Sequence, residues 1–165
     1  MEIVKLKPEE WEKFRELRLE ALREDSESFG ASYEEAVKYS DDDWKQRLVN
    51  PNDNIIIASD GGLAIGMVGA YQEKGEKLKH AAYIWGVYLG KNYRGQGIGE
   101  KLMKKLLEEI AKNEEIEKIT LNVNVGQLPA IRLYKKFGFK VVGTMHKEMK
   151  VNGKYIDDYV MEKML

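Results

Sequence analysis

The stretch Val87-Tyr88-Leu89-Gly90-Lys91-Asn92-Tyr93-Arg94-Gly95-Gln96-Gly97-Ile98-Gly99 holds the residues best suited to chemistry in this chain. An apolar run that reads as a strand enters a glycine-rich turn and passes straight into an amphipathic pattern. The first N–H groups of a helix lack intrahelical acceptors and sit at the positive end of the helix dipole, so they attract anions. Glycines let the backbone close on a bulky anion without Cβ collisions, and Arg94 adds a permanent charge. The spacing predicts a pyrophosphate cradle. A dinucleotide site would need GxGxxG after the first strand and a ribose-binding acid about 20 residues on. Here the third glycine comes one residue early and the motif follows the fourth strand. The nucleotide-triphosphate loop GxxxxGK[ST] is absent.

Several chemistries are excluded by composition. The 165 residues include no cysteine, which removes disulfides, zinc–thiolate sites and Cys nucleophiles. Only His80 and His146 are present, so a multi-His metal site would need carboxylates to complete it, and no metal is expected. With 27 Lys and Arg against 28 Asp and Glu, the formal net charge of −1 suggests no nucleic-acid partner. Charge is nevertheless segregated. Residues 1–50 carry 14 acidic and 9 basic side chains, whereas residues 131–154 carry seven basic side chains against Glu148 alone. The basic segment is either a solvated face or a neighbour of a phosphorylated ligand. The N-terminus has no apolar run of signal-peptide length, and no stretch reaches the ~20 apolar residues of a membrane span. A cytoplasmic protein with no membrane association is the expectation.

The elements that must position the cradle follow from periodicity. Ile3 to Leu6 reads as a strand ended by Pro8. Trp11, Phe14, Leu17, Ala21 and Leu22 trace an amphipathic helix fading near Ser26–Gly30. A shorter helix is expected at about Asp42 to Val49, followed by a turn cluster, Asn50-Pro51-Asn52-Asp53. Ile55–Ala58 and Leu63–Tyr71 form a hairpin around Ser59-Asp60-Gly61-Gly62, and Gln72–Lys79 reads as polar and flexible. Ala81–Leu89, apolar on both faces, reads as a central strand. Ile98 to Asn113 is a second long helix, Lys118–Val123 a strand, and Gln127–Phe137 a helix with Pro129 in its first turn. Phe139–Met149 and Tyr155–Met164 close the chain as a hairpin around Asn152-Gly153. The order βααβββαβαββ predicts one α/β domain over residues 1–165: a mixed sheet with helices on both faces and a parallel crossover over residues 81–123.

Two motifs in this order carry a family resemblance. Arg94-Gly95-Gln96-Gly97-Ile98-Gly99 resembles the acyl-coenzyme A signature [QR]-x-x-G-x-[GA] of the GNAT superfamily of N-acetyltransferases. Leu121-Asn122-Val123, followed by Ala130-Ile131-Arg132-Leu133-Tyr134-Lys135-Lys136-Phe137-Gly138-Phe139, resembles that family's L-x-V-x-x-x-N-x-x-A-x-x-L-Y-x-x-x-G-F. The resemblance implies a mostly antiparallel GNAT-like fold, acetyl-CoA as cosubstrate and an amine of a small molecule or protein as acceptor. It also admits a homodimer. On this likeness, backbone groups of Val87 and Leu89 would pair with the pantetheine arm, and the strands ending at Leu89 and Val123 would splay apart. Arg94, Gly95, Gln96, Gly97, Ile98 and Gly99 would hold the pyrophosphate, with Lys135 and Lys136 near the 3′-phosphate. Tyr134 matches the tyrosine that assists the departing thiolate. A phenol titrates near about 10 and a thiol near about 8.5, so the phenol stays protonated while the thiolate leaves. The alternative is that Tyr134 only packs.

The chain departs from the family pattern in two places. Gln127 stands where the family has asparagine, which changes its reach to the pantetheine. The two positions where members carry a glutamate base hold Tyr83 and Asn122. Deprotonation of the acceptor is left to water held by Asn122 or backbone carbonyls, to bulk water, or to a carboxylate from Glu34, Glu35, Asp157 or Asp158. Phe29, Tyr33, Tyr71, Tyr83 and Tyr155 are expected to line the acceptor pocket. A catalytically degenerate coenzyme A-binding regulatory module is the competing function, motivated by the missing carboxylates.

Overall fold

The computed structural model describes residues 1–50 and 52–165. Seven strands form one sheet in the order β1-β2-β3-β4-β5-β7-β6. They are β1 (Glu2–Lys5), β2 (Asn54–Asp60), β3 (Leu63–Gln72), β4 (Ala81–Leu89), β5 (Lys118–Asn124), β6 (Lys140–Val151) and β7 (Lys154–Met164). All neighbours are antiparallel except β4 and β5. The helices are α1 (Trp11–Glu24), α2 (Tyr33–Ala36), α3 (Asp41–Gln46), α4 (Ile98–Ile110) and α5 (Leu128–Lys136). Among the described residues no helix is long and apolar enough to cross a membrane.

Both faces of the sheet are covered, because the central strands are apolar on both sides. In β2, Ile56 and Ala58 face the core under α4 while Ile55 and Ile57 face the core under α1. The period-2 alternation of a strand sends successive side chains to opposite faces, so a continuous Ile-Ile-Ile-Ala run needs two cores. Helix α4 supplies one with Ile98, Leu102, Met103 and Leu106. Helix α1 supplies the other with Phe14, Leu17, Ala21 and Leu22.

The feature that makes a site is a break in the middle of this sheet. β4 and β5 pair only at Ala81–Lys118, Ala82–Ile119 and Tyr83–Thr120; beyond that both strands continue without each other. On its other side β4 bulges against β3. Met67 opposes Tyr88 and Gly69 opposes Trp85, so Gly86 and Val87 together face Val68. Gly86 takes φ +66°, a left-handed conformation natural to glycine. The extra residue inverts the alternation. Ile84 lies in the core under α4 and Trp85 packs against the core under α1; past the bulge, Tyr88 has joined the α1 side while Val87 and Leu89 pack on the α4 side. One inserted residue thus turns the backbone of β4 away from β5.

Differences from the sequence reading are local. Helix α2 was not expected; it forms because Ser32 caps it, its Oγ accepting from Glu35 N–H at 3.2 Å. Helix α3 starts at Asp41, where Ser40 and Asp43 form a reciprocal capping box, and stops at Gln46 rather than Val49. The stretch 72–79, read as flexible, contains a turn in which Leu78 and Lys79 N–H both donate to Gly75 O. The predicted turn at 50–53 includes Pro51, which lies outside the described residues; Asp53 N–H donates to Asn50 O across it at 3.0 Å.

A Cβ at position 86 would sit 3.6 Å from Arg18 Nη1 and 3.9 Å from Met67 Cε, ordinary contacts, so any cost there comes from φ. Gly86→Ala is expected to add roughly 1–2 kcal/mol of strain. Melting temperature falls about 2–4 °C per kcal/mol in a chain of this size. An unchanged melt would show that the bulge accepts a side chain freely.

Candidate active site

The gap between β4 and β5 opens into a cleft of about 490 Å³. Val87 and Leu89 line it from β4, Asn122 and Asn124 from β5, and Gln127 and Tyr134 from α5. Arg94, Gly95, Gly97, Ile98 and Gly99 close one end, and Phe29 stands at the α1 side. A turn at Ser26–Ser28 is tied to the β5–α5 edge. Asn124 Nδ2 donates to Glu27 O at 3.1 Å, and Gln127 Nε2 donates to Ser28 Oγ at 2.9 Å. The Gln127 amide is therefore engaged within the protein.

The cradle at the start of α4 is built from backbone. Gly95 and Gly97 both have φ +76°, and a Cβ at either would meet nothing within 4 Å, so open space faces the turn. Gly97 is the N-cap of α4, and Lys101 N–H donates back to its carbonyl at 3.2 Å. The N–H groups of Ile98, Gly99 and Glu100 precede the first closed helical turn, which leaves them to a ligand. Arg94 is less free than its charge suggests. Its Nε donates to Leu89 O at 2.8 Å, and its guanidinium forms an ion pair with Asp25. Gln96 donates from Nε2 to Asn92 O and stands outside the cleft lining. Gly90 N–H donates to Ile65 O, which makes the next opposed pair, Leu89–Gly66, a non-bonded one. The peptide groups of Leu89 then point away from β3, toward the gap. From the basic segment, Arg132 and Lys136 reach the cleft and Lys135 does not; Lys136 is paired with Glu100 at 2.7 Å.

Tyr134 and Ile131 occupy the inner face of α5. The Tyr134 ring packs edge-on to Phe139 at 6.2 Å, and the residue lines the cleft. Burial, then the nearby Tyr83, push its pKa well above the usual phenol range. The group therefore keeps its proton. Tyr83 is itself raised, first by burial, and its ring leans on Tyr71 at 5.5 Å. Asn122 Nδ2 contacts Met145 Sδ at 3.4 Å.

The remaining sequence candidates separate. Tyr33 is packed in the core under α1, Tyr155 is exposed between Lys147 and Lys150, and Tyr71 and Tyr83 lean on each other; none of the four lines the cleft. Glu34 and Glu35 are exposed on α2. Asp157 is committed: it accepts from Lys147 N–H at 2.8 Å and pairs with His146 at 2.9 Å, which pins a bulge of three β6 residues and holds its own pKa low. Asp158, the next residue, opposes the cleft-lining Asn124 across the β5–β7 pair. It is buried, its Oδ1 has no partner, and burial followed by Glu148 and Asp157 raises its pKa. The sequence reading missed Arg18 altogether. The signal was there, since Arg18 falls on the Phe14–Leu22 row of the apolar stripe. Burial, then Arg47, bring its pKa down to about 10, so it is charged at neutral pH.

Comparison with known proteins follows this geometry. The model of the acetyltransferase (GNAT) family matches residues 11–139. An L-amino acid N-acetyltransferase of Escherichia coli (strain K12), AaaT, is 29% identical over 126 residues, which are 76% of this chain and 77% of that protein. A spermine/spermidine N(1)-acetyltransferase of Bacillus subtilis (strain 168) is 30% identical over 54% of this chain and 57% of its own length. Among solved structures, a GNAT acetyltransferase of Streptococcus pneumoniae superimposes with a TM-score of 0.87 at 19% identity, covering 99% of both chains. The yncA structure of Salmonella typhimurium, solved with its cofactor acetyl-CoA, gives 0.81 at 16% identity over 100% of this chain and 94% of that one.

The unpaired Asp158 gives the ligand-free protein a measurable signature. A carboxyl whose pKa is raised on folding binds more protons folded than unfolded, so it favours the fold at low pH and penalises it as pH rises past the ordinary aspartate range. Asp158→Asn is therefore expected to melt above the parent at pH 7, with the difference shrinking toward pH 4. A difference independent of pH would show that Asp158 is not held in its raised state.

Proposed function

Because the chain belongs to the acetyltransferase (GNAT) family, we propose that it moves an acetyl group from acetyl-CoA to a primary amine by direct attack. The observation that carries this reading is a cleft between parting parallel strands, lined by a glycine cradle and by the buried phenol of Tyr134. The cleft fits the cosubstrate. Open backbone at Gly95 and Gly97 and the free N–H groups at the start of α4 would take the pyrophosphate, beside Arg94 and Gly99. Val87 would offer its peptide groups, and Leu89 its N–H beside a carbonyl already held by Arg94, to the pantetheine arm along the unpaired edge of β4. Arg132 and Lys136 add positive charge on the same side. When bound, acetyl-CoA supplies an acetyl group activated as a thioester.

The chain's own groups handle the protons. Tyr134 donates its phenolic proton to the sulfur as the C–S bond breaks, a role that its raised pKa permits at neutral pH. Asp158 takes the proton of the attacking amine. It is the candidate carboxylate that is neither exposed nor already paired, and it lies one strand from Asn122 and Asn124. Similarity to proteins named for amino acids and for spermine supports an amine acceptor of small size.

Tyr134→Phe is expected to lower kcat by about 10²–10⁴-fold, the usual scale of general-acid assistance, with acetyl-CoA affinity changed far less. Release of free thiol and a coenzyme A binding titration measure the two. An unchanged kcat would reduce Tyr134 to packing and leave a binding module as the better description. For the base, kcat/KM against pH with two acceptors whose pKa values differ by two units should show one shared inflection, rising as Asp158 loses its proton. In Asp158→Asn the inflection should instead move with the acceptor. Inflections that already follow the acceptor in the parent would assign deprotonation to water.

A further inference from the structure

Directly behind the cleft wall lies a charge that no carboxylate among the described residues answers. Arg18 projects from the apolar face of α1, with its guanidinium 4.7 Å from the centre of the Phe29 ring and 5.6 Å from that of Trp85. Its Nη1 is buried without an acceptor, poised over Gly86, where a Cβ would come within 3.6 Å of it. No carboxylate among the described residues pairs with it. The nearest like charge is Arg47, itself stacked on Tyr39 and Trp44. This happens in a segment rich in acids, where Arg15 and Arg23 both have partners. A buried donor with full charge and no acceptor is a standing cost that an incoming anion removes.

The location says whose anion it is. Phe29, Trp85 and Gly86 all line the cleft, at the bulge where β4 turns from β5. The glycine cradle lies further along, past Leu89, and has its own arginine in Arg94. Arg18 thus lies behind the end of the cleft away from the cradle, against Phe29, Trp85 and Gly86. Two aromatic rings that line the cleft flank the guanidinium, a setting that suits a planar carboxylate gripped by a planar fork.

We propose that Arg18 binds a carboxylate carried by the acceptor, so that the amines acetylated by this enzyme are amino-acid-like, with amine and carboxylate in one small molecule. The assignment rests on the acetyltransferase reading of the cleft and is tested apart from it. Thiol release is measured with acetyl-CoA and a panel of L-amino acids, each beside its C-terminal amide, and with spermidine as a carboxylate-free amine. The parent chain should prefer acids over their amides by roughly 10²-fold or more in kcat/KM, the scale of losing a charge-assisted contact in a buried site. In Arg18→Met that ratio should collapse to within a few-fold, and Arg18→Lys should restore part of it. A parallel titration of N-acetyl amino acids and their N-acetyl amides by calorimetry reads the same discrimination without turnover. If no amine is acetylated, the enzymatic reading fails and the calorimetric ratio still decides on Arg18. Equal handling of acids and amides by the parent, or a preference that survives Arg18→Met, overturns the proposal. A loss of coenzyme A affinity in Arg18→Met would assign the anion to the cosubstrate and overturn it too.

Discussion

The structure turns on the failure of β4 and β5 to stay paired. Two parallel strands in the middle of a sheet would ordinarily exchange hydrogen bonds along their length, yet these share three positions and then part. The cause is local: Gly86 and Val87 occupy one place in the ladder with β3, and the surplus residue bends β4 away from its other neighbour. Backbone groups on the inner edges are left without partners in a partly buried place. Proteins seldom leave such groups unanswered, so a gap of this kind is a standing invitation to an extended ligand that can stand in for the missing strand.

The rest of the fold holds that gap open. The antiparallel strands on either side carry the two cores, with α4 pressed on one face and α1 on the other. Three side-chain links cross the site: Arg94 to Asp25, Gln127 to Ser28 and Asn124 to Glu27 O. Each joins the α1 end to the β4–β5–α5 half. The bulge also decides what each face offers, because it inverts the strand's alternation and sends Tyr88 to the α1 side, where its hydroxyl bonds Glu20 at 2.8 Å.

Against this economy of paired groups, the unpaired ones stand out. Arg94, Asp157 and Lys136 each have partners. Asp158 Oδ1 and Arg18 Nη1 have none among the described residues, although both side chains are largely removed from water and both sit beside residues that line the cleft. Surface ion pairs add little to stability, whereas buried polar groups without partners subtract from it. Two such groups beside one opening are what a site kept for a ligand would show.

The sequence by itself determined the elements and the glycine turn that closes one end of the cleft. Strand and helix order followed from periodicity, because the period of an apolar pattern is set by local geometry. The cradle followed from Arg94 to Gly99, because residues contiguous in the chain meet by necessity at a strand–helix turn. Tyr134 followed from a contiguous motif as well. Short helix α2 escaped notice, since four residues carry no periodicity and depend on a cap at Ser32. The side proposed for the acceptor escaped for a different reason. Tyr33 and Tyr155 have the right composition for a pocket and stand outside it, while Arg18 and Asp158 come from the first helix and the last strand. Whether a charged side chain finds a partner depends on which distant segments surround it. Arg15 and Arg18 lie three residues apart on one helix; the first meets Asp41 and the second meets two aromatic rings. Only the packing of α1 against a bulged strand decides between those fates.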